Sequence, residues 1–202
     1  RIGMSLVLES LTMPLLVDTI KDIAPHVRIS TARHSRALFQ EQLATKHLDA
    51  VVDVWLPHGH TISHKFLGPG KMVVVARQGH PVVNGSISME DYLKQDHITA
   101  TSRRIGRAME DEELARLGFQ RRVKMRCQHH WTACKIVSNT DMLLTMPRRN
   151  ARATNETLGN QLVPFPIEMP APDVYLYWRA NAEDEPANRW LREQIYTAFQ
   201  LS

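Results

Sequence analysis

The chain has 202 residues, 43% of them hydrophobic and 23% charged, which is enough for one domain or two small lobes and argues against a disordered chain. No apolar run approaches the ~20 residues of a membrane-spanning helix, and the first residues lack the order of a signal peptide, so we expect a cytoplasmic protein. Two cysteines cannot form a disulfide framework. The net charge is +4, and basic residues occur in short clusters such as 103–104, 121–122 and 148–149. Such clusters are weak evidence for nucleic-acid binding; solvated arginines are the favoured interpretation, and attraction of an anion into a cleft is the second.

The first part of the chain alternates predicted strands and helices. Residues 2–8 form an apolar run typical of a strand, and the apolar spacing that follows predicts a helix capped by Ser10 or Thr12 and ended before Pro25. Residues 27–31 alternate as a strand does, a helix follows near 38–46, and 50–56 is an apolar strand. This β-α-β-α-β order predicts a parallel sheet covered by helices. Because the chain opens directly on a strand, we interpret it as a fragment of a longer protein.

A second α/β unit follows. Residues 62–67 and 72–76 predict two strands separated by Gly68-Pro69-Gly70, either as a hairpin or as a passage into a second sheet. The strand and helix alternation then restarts with a helix capped by Ser88. Further strands are predicted at 98–101, 123–127, 142–146 and 162–167, and helices at 109–117, ended by Gly118, at 131–137, and at 148–157, ended by Gly159.

The last strand and helix, near 174–178 and 188–199, are additional to this second unit. We expect this strand and helix to return to the first lobe, where the strand would complete the sheet. The sequence therefore predicts lobe I at 1–74 plus 173–202 and lobe II at 75–172, joined where the chain crosses twice. Two such lobes define a hinge and a cleft.

Polar residues at the predicted strand-to-helix turns are the candidate ligand contacts, because ligands of open parallel sheets lie at the carboxyl ends of the strands. Hydroxyl, imidazole and guanidinium groups in these turns suit a small anion or a polar aromatic acid. Any single Ser or Thr there can also be a helix cap, and Arg33 can also be a surface residue or a partner of Asp53. The candidates are Ser10, Thr12, Arg33, Thr101, Ser102, His129, His130 and Thr145.

An enzyme is not indicated. The acids at 110–113 fall on a helix predicted to be exposed, and neither a nucleophile elbow nor a glycine-rich phosphate loop is present, so we predict no catalysis and no cofactor. The segment Cys127-Gln-His-His-Trp-Thr-Ala-Cys134 raises the alternative of a metal or redox sensor. Its ligand spacing is poor, and inert buried thiols are the favoured interpretation.

The order of elements and several stretches resemble the effector-binding domain of LysR-type transcriptional regulators. The most specific stretch is Val-Val-Ala-Arg-Gln-Gly-His-Pro at 74–81, which resembles the family's first hinge crossing; residues 1–4, 15–28, 43–52 and 190–192 add to the match. The resemblance implies an α/β fold of two Rossmann-like lobes joined by a two-strand hinge, like a periplasmic binding protein of type 2. A transporter's solute-binding protein shares this form and stays an alternative.

The resemblance also implies a function. A small-molecule effector, for example an organic or aromatic acid, would contact the eight candidates above and close or reorient the lobes. The protein would form a homodimer or tetramer, with its first helix packed on a second-lobe helix of the partner. It would bind promoter DNA through an upstream winged helix-turn-helix domain that this chain lacks.

The nearest branch of the family responds to aromatic acids and nodulation signals, because a histidine at 129 or 130 precedes a helix and Thr140-Asp141 precedes an apolar strand. Arg103-Arg104 departs from the small or uncharged residues that relatives often carry there, and this leaves the charge and size of the ligand open.

Overall fold

The structure is a computed structural model that describes residues 1–101, 107–169 and 171–201. Its elements in chain order are β1 Ile2–Met4, α1 Leu6–Ile20, β2 Thr31–Ala32, α2 Phe39–Ala44, β3 Ala50–Val54, β4 Ile62–Gly68, β5 Met72–Ala76, α3 Met89–Lys94, β6 Asp96–Ala100, α4 Met109–Arg116, β7 Arg122–Cys127, α5 His130–Val137, β8 Leu143–Pro147, α6 Arg148–Asn155, β9 Gln161–Pro164, β10 Val174–Arg179, a 3-10 turn Ala180–Ala182, and α7 Pro186–Gln200.

The chain divides into two compact units. Unit 1 comprises Arg1–Gly70 and Pro172–Ser202, and unit 2 comprises Lys71–Ala171. All of β5 therefore belongs to unit 2, and so does the run at 74–81 that the resemblance placed at a crossing. The last strand and helix return to unit 1 as predicted, where β10 lies between β3 and β4.

Unit 1 is a five-stranded sheet in the order β2-β1-β3-β10-β4. Strand β1 is parallel to β2 and β3, with Ile2 opposite Thr31 and Ala50, whereas β10 runs antiparallel to β3 and β4. Helices α1 and α7 pack together on one face, in a core that includes Leu16 and Ile195. Helix α2 covers part of the other face. The predicted parallel sheet thus has an antiparallel strand within it.

Unit 2 repeats this design in the order β7-β6-β8-β5-β9. Strand β6 is parallel to β7 and β8, and β5 is antiparallel to β8 and β9. Residues of α3 and α4 pack on one face, where Tyr92 and Leu114 are buried, and α5 and α6 cover the other face. Because β4 and β5 lie in different sheets, the hairpin alternative for these strands is wrong and the passage into a second sheet is confirmed.

Several element ends follow directly from the sequence. Ser88 caps α3 by accepting a hydrogen bond from Asp91 N at 3.0 Å. Gly118 and Gly159 follow α4 and α6 with positive φ angles of 80° and 66°, a conformation in which a side chain is strained. Among the described residues, no helix is long and apolar enough to cross a membrane.

Candidate ligand-binding residues at the strand ends

The turn after β1 is formed by Ser5, not by the predicted caps. Ser5 Oγ accepts a hydrogen bond from Leu8 N at 3.4 Å, so α1 begins at Leu6 and the prediction of a cap at Ser10 or Thr12 is wrong. Ser10 is exposed within the helix and donates to Val7 O at 3.0 Å. Thr12 is fully buried, and its hydroxyl has no hydrogen-bond partner among the described residues. The role of Ser5 is not visible in the sequence, because apolar residues flank it on both sides and hide the change from strand to helix.

The ends of β2 and β3 carry a buried carboxylate with two partners. Asp53 is 1% exposed and accepts hydrogen bonds from Arg36, at 2.8 Å from Nε and 2.6 Å from Nη2, and contacts His34 Nε2 at 2.9 Å. Burial alone would raise the pKa of Asp53, but the bonds from His34 and Arg36 outweigh it and hold that pKa below its ordinary value. Arg33, which the sequence offered as a partner of Asp53, is exposed instead. Its guanidinium is therefore available at this strand end.

In unit 2 the ends of β6 and β7 lie side by side, and α5 begins there. Thr101 N donates to Cys127 O at 2.9 Å, which joins the residues that follow the two strands. His129 is the exposed N-cap residue of α5, and its side chain makes no capping bond. The first N–H groups of a helix have no partner inside it, so this end of α5 presents donors suited to an anion. Ser102 lies outside the described residues.

His130 is the first residue of α5. Burial, and then the neighbouring His129, lower its pKa to about 4. Its imidazole is therefore neutral at pH 7 and can take part in a ligand site through hydrogen bonds, while the helix end supplies the positive potential.

Thr145 lies inside β8 and is 3% exposed, so it does not stand in a strand-to-helix turn. Its hydroxyl is 2.8 Å from the hydroxyl of Tyr92, which in turn accepts from Arg121 Nη1 at 3.2 Å. Arg121 is also buried and binds Glu110 at 2.8 Å, Asp111 at 2.5 Å and Thr99 at 3.0 Å. Thr145 is thus part of a buried polar network.

This network corrects two expectations. Arg121 was expected to be a solvated arginine, and Glu110 to lie on an exposed helix, yet they are only 5% and 7% exposed. Burial raises the pKa of Glu110, and the carboxylates and Tyr92 raise the pKa of Arg121 although burial opposes this. The guanidinium of Arg121 donates hydrogen bonds to four side chains, and such bonds are the condition for burying charge.

The two cysteines have the properties of structural thiols. Burial raises the pKa of Cys134 to about 11 and also raises the pKa of Cys127, so thiolate is scarce in both at neutral pH. Cys134 Sγ lies 3.6 Å from Met146 Sδ in the core. Within residues 1–101, 107–169 and 171–201, no group of three or more His, Cys, Asp or Glu side chains is placed to hold a metal ion.

Comparison with known proteins identifies the family. The model of the LysR substrate binding domain matches residues 1–200. The HTH-type transcriptional activator NahR of Pseudomonas putida is 28% identical over 188 residues, 93% of this chain and 62% of NahR. The probable transcriptional regulator PA0477 from Pseudomonas aeruginosa is 29% identical, with a TM-score of 0.83 over 96% of this chain and 64% of that one.

The BenM effector-binding domain with its effector benzoate is similar in fold only. It is 14% identical, with a TM-score of 0.74 over 100% of this chain and 90% of that one. Two α/β units with the same sheet order are those of a protein with the type 2 periplasmic-binding-protein fold. The chain belongs to the LysR substrate-binding domain family. It spans about 62% of the length of NahR. The comparisons give no support to the alternatives of a transporter's solute-binding protein or of a redox or metal sensor.

Proposed function

We propose that this chain is the sensing part of a LysR-type transcription regulator, which binds a small organic acid and thereby changes transcription without catalysing a reaction. The family match over residues 1–200 carries this proposal. NahR is an HTH-type activator and is longer than this chain, which supports a helix-turn-helix part and promoter binding in the whole protein. Its place of action is then the cytoplasm, where promoter DNA lies.

The ligand class that the strand ends favour is an aromatic carboxylate. The end of α5 offers the N–H groups of its first turn beside the exposed His129 and the neutral His130. Arg33 in unit 1 offers a guanidinium, which binds carboxylates in a bidentate manner. BenM takes benzoate as its effector and shares this fold. Contacts to the effector from Ser10, Thr12, Thr101, Ser102 and Thr145 stay predictions, and Ser5 joins them as the cap of α1.

The surface of α1 supports a homodimer. The helix exposes two large apolar side chains, Leu6 and Val17, each 49% exposed, beside the polar Ser10 and Asp18. Exposed apolar side chains of this size provide a surface that a second copy of the chain can cover. Analytical ultracentrifugation is expected to show a dimer that Val17→Glu converts to monomer, whereas Asp18→Glu, a change on the neighbouring exposed position, leaves it intact.

The proposed ligand class can be tested by thermal unfolding. Benzoate and a series of small aromatic carboxylates are expected to raise the Tm in a saturable manner, because a ligand that binds only the folded state stabilises it by mass action. The corresponding neutral amides should have little effect. His129→Ala and Arg33→Ala should each weaken the binding of the best carboxylate about tenfold, which is about 1.4 kcal/mol.

The matched controls are His26→Ala and Arg28→Ala, because both residues are exposed in unit 1 and away from the candidate turns. Equal Tm shifts for acids and amides would contradict the anionic ligand. Unchanged affinity in Arg33→Ala would remove Arg33 from the site.

A further inference from the structure

Two histidines in unit 1 face each other through their ring nitrogens. His58 lies in the segment between β3 and β4, and His64 lies on β4. His58 Nε2 is 3.0 Å from His64 Nδ1, whereas the ring centroids are 4.7 Å apart. The nitrogens are therefore closer together than the rings, so the two ring edges face each other at hydrogen-bond distance.

The neighbours of His58 determine which of its nitrogens carries the proton. His58 Nδ1 is 2.8 Å from Leu56 O, and a carbonyl oxygen only accepts, so Nδ1–H is the donor there. In the neutral ring Nε2 then has a free lone pair directed at His64. A backbone carbonyl that fixes the second nitrogen in this way is the usual support of a metal-binding histidine.

His64 is suited to the same role. In the metal-free pair His64 Nδ1–H donates to His58 Nε2. Because His64 is exposed, Nδ1 can lose this proton to water while Nε2 gains one, which frees the Nδ1 lone pair without changing the net charge.

The spacing and the surroundings fit a transition-metal ion. Bonds of 2.0–2.1 Å from zinc to two imidazoles in tetrahedral geometry place the nitrogens about 3.3 Å apart, only a few tenths of an ångström more than observed. Trp55 and Tyr177 pack against both rings, with centroid separations from Trp55 of 5.3 Å to His58 and 5.1 Å to His64, and hold their orientation.

We propose that His58 Nε2 and His64 Nδ1 bind a divalent transition-metal ion of the Zn²⁺, Ni²⁺ or Cu²⁺ class, with water completing its coordination. Imidazole nitrogen is a preferred ligand of these ions. With two protein ligands the ion is exchangeable and not a structural metal.

The test is a titration of the 202-residue chain, free of any histidine tag, with NiCl₂ and ZnCl₂ by isothermal calorimetry. We expect one ion per chain, and His64→Asn and His58→Asn should each weaken binding at least tenfold. His26→Asn and His47→Asn are the controls and should leave it unchanged. Ni²⁺ should also quench part of the tryptophan fluorescence, and Trp55→Phe should remove that quenching while keeping the calorimetric binding.

The proposal is overturned if neither ion binds, or if the His58 and His64 variants bind as the wild type does. His64 is exposed, so His64→Asn tests the site without disturbing the core, and circular dichroism of both variants checks their folding.

Discussion

The two units share one sheet design but bury charge differently. In each, three parallel strands are extended by an antiparallel strand from a distant part of the chain, and then by an edge strand. Unit 1 buries Asp53 against Arg36, whose side chain is 49% exposed. Unit 2 buries Arg121, with 1% of its side chain exposed, against Glu110, Asp111, Tyr92 and Thr99. The unit with the more deeply buried ion pair should be the one less tolerant of losing a partner.

Arg121→Met should have the largest effect on stability. The change leaves the carboxylates of Glu110 and Asp111 without their cation, and breaking a buried pair in this way costs about 3–5 kcal/mol. Urea denaturation measures this loss as a lower free energy of unfolding. Arg122→Met is the matched control, because the Arg122 side chain is 70% exposed and its bond to Asp96 is screened by water, so this change should lower the free energy of unfolding far less. An equal decrease in the free energy of unfolding in the two variants would contradict the claim that burial makes the Arg121 ion pair more important for stability.

His97 in unit 2 should make the chain sensitive to acid. Burial, and then the charge of Arg121, lower its pKa from 6.5 to about 4. As the pH falls from 6.5 to 4, the unfolded chain takes up a proton that the folded chain excludes, so the free energy of unfolding falls, by on the order of 3 kcal/mol. His97→Gln should reduce this slope by about half, because His130, whose pKa is also lowered to about 4, contributes a similar part. The same pH slope in the wild type and the variant would show that His97 does not cause it.

Asp53→Asn should be milder than Arg121→Met. It removes the charge to which Arg36 and His34 bind, but Arg36 reaches water and keeps its hydration. We expect a loss of about 2 kcal/mol in the free energy of unfolding. Asp18→Asn, at an exposed carboxylate of the same unit, should change it by less than about 0.5 kcal/mol. A decrease in the free energy of unfolding as large as that of Arg121→Met would mean that the two units are equally sensitive to the loss of a buried charge.

Ser5→Ala should give the smallest of these effects. Loss of the α1 cap costs about 1 kcal/mol, whereas Ser10→Ala removes only an exposed bond within the helix and should be nearly neutral. Thermal unfolding of the two variants compares the observed cap with the one expected from sequence. A larger loss in Ser10→Ala would place the start of the helix at the later residue.

Local signals explain what could be predicted. Ser88 as a cap and Gly118 as a helix end need only neighbouring residues, and the sequence identified both. The surplus strand and helix after residue 173 indicated a return to the first lobe for a topological reason: the second unit was already complete.

Long-range pairing explains what could not be predicted. Arg36 rather than Arg33 binds Asp53, and nothing in the sequence distinguishes two arginines in the same turn. Glu110 and Arg121 resemble surface residues in the sequence, because only the fold brings α3, α4 and β6 around the guanidinium of Arg121. Thr145 was predicted near the end of a strand at 142–146, beside the turn to the next helix, but β8 continues to Pro147 and places Thr145 inside the sheet.

Amide hydrogen exchange tests most directly the central claim that this chain senses a small acid at its strand ends. The protein is compared with and without the aromatic carboxylate that raises its Tm most. We expect slower exchange at residues 129–132, at the start of α5, and at 5–8, at the start of α1. Slower exchange confined to other segments, with these two unchanged, would contradict the account.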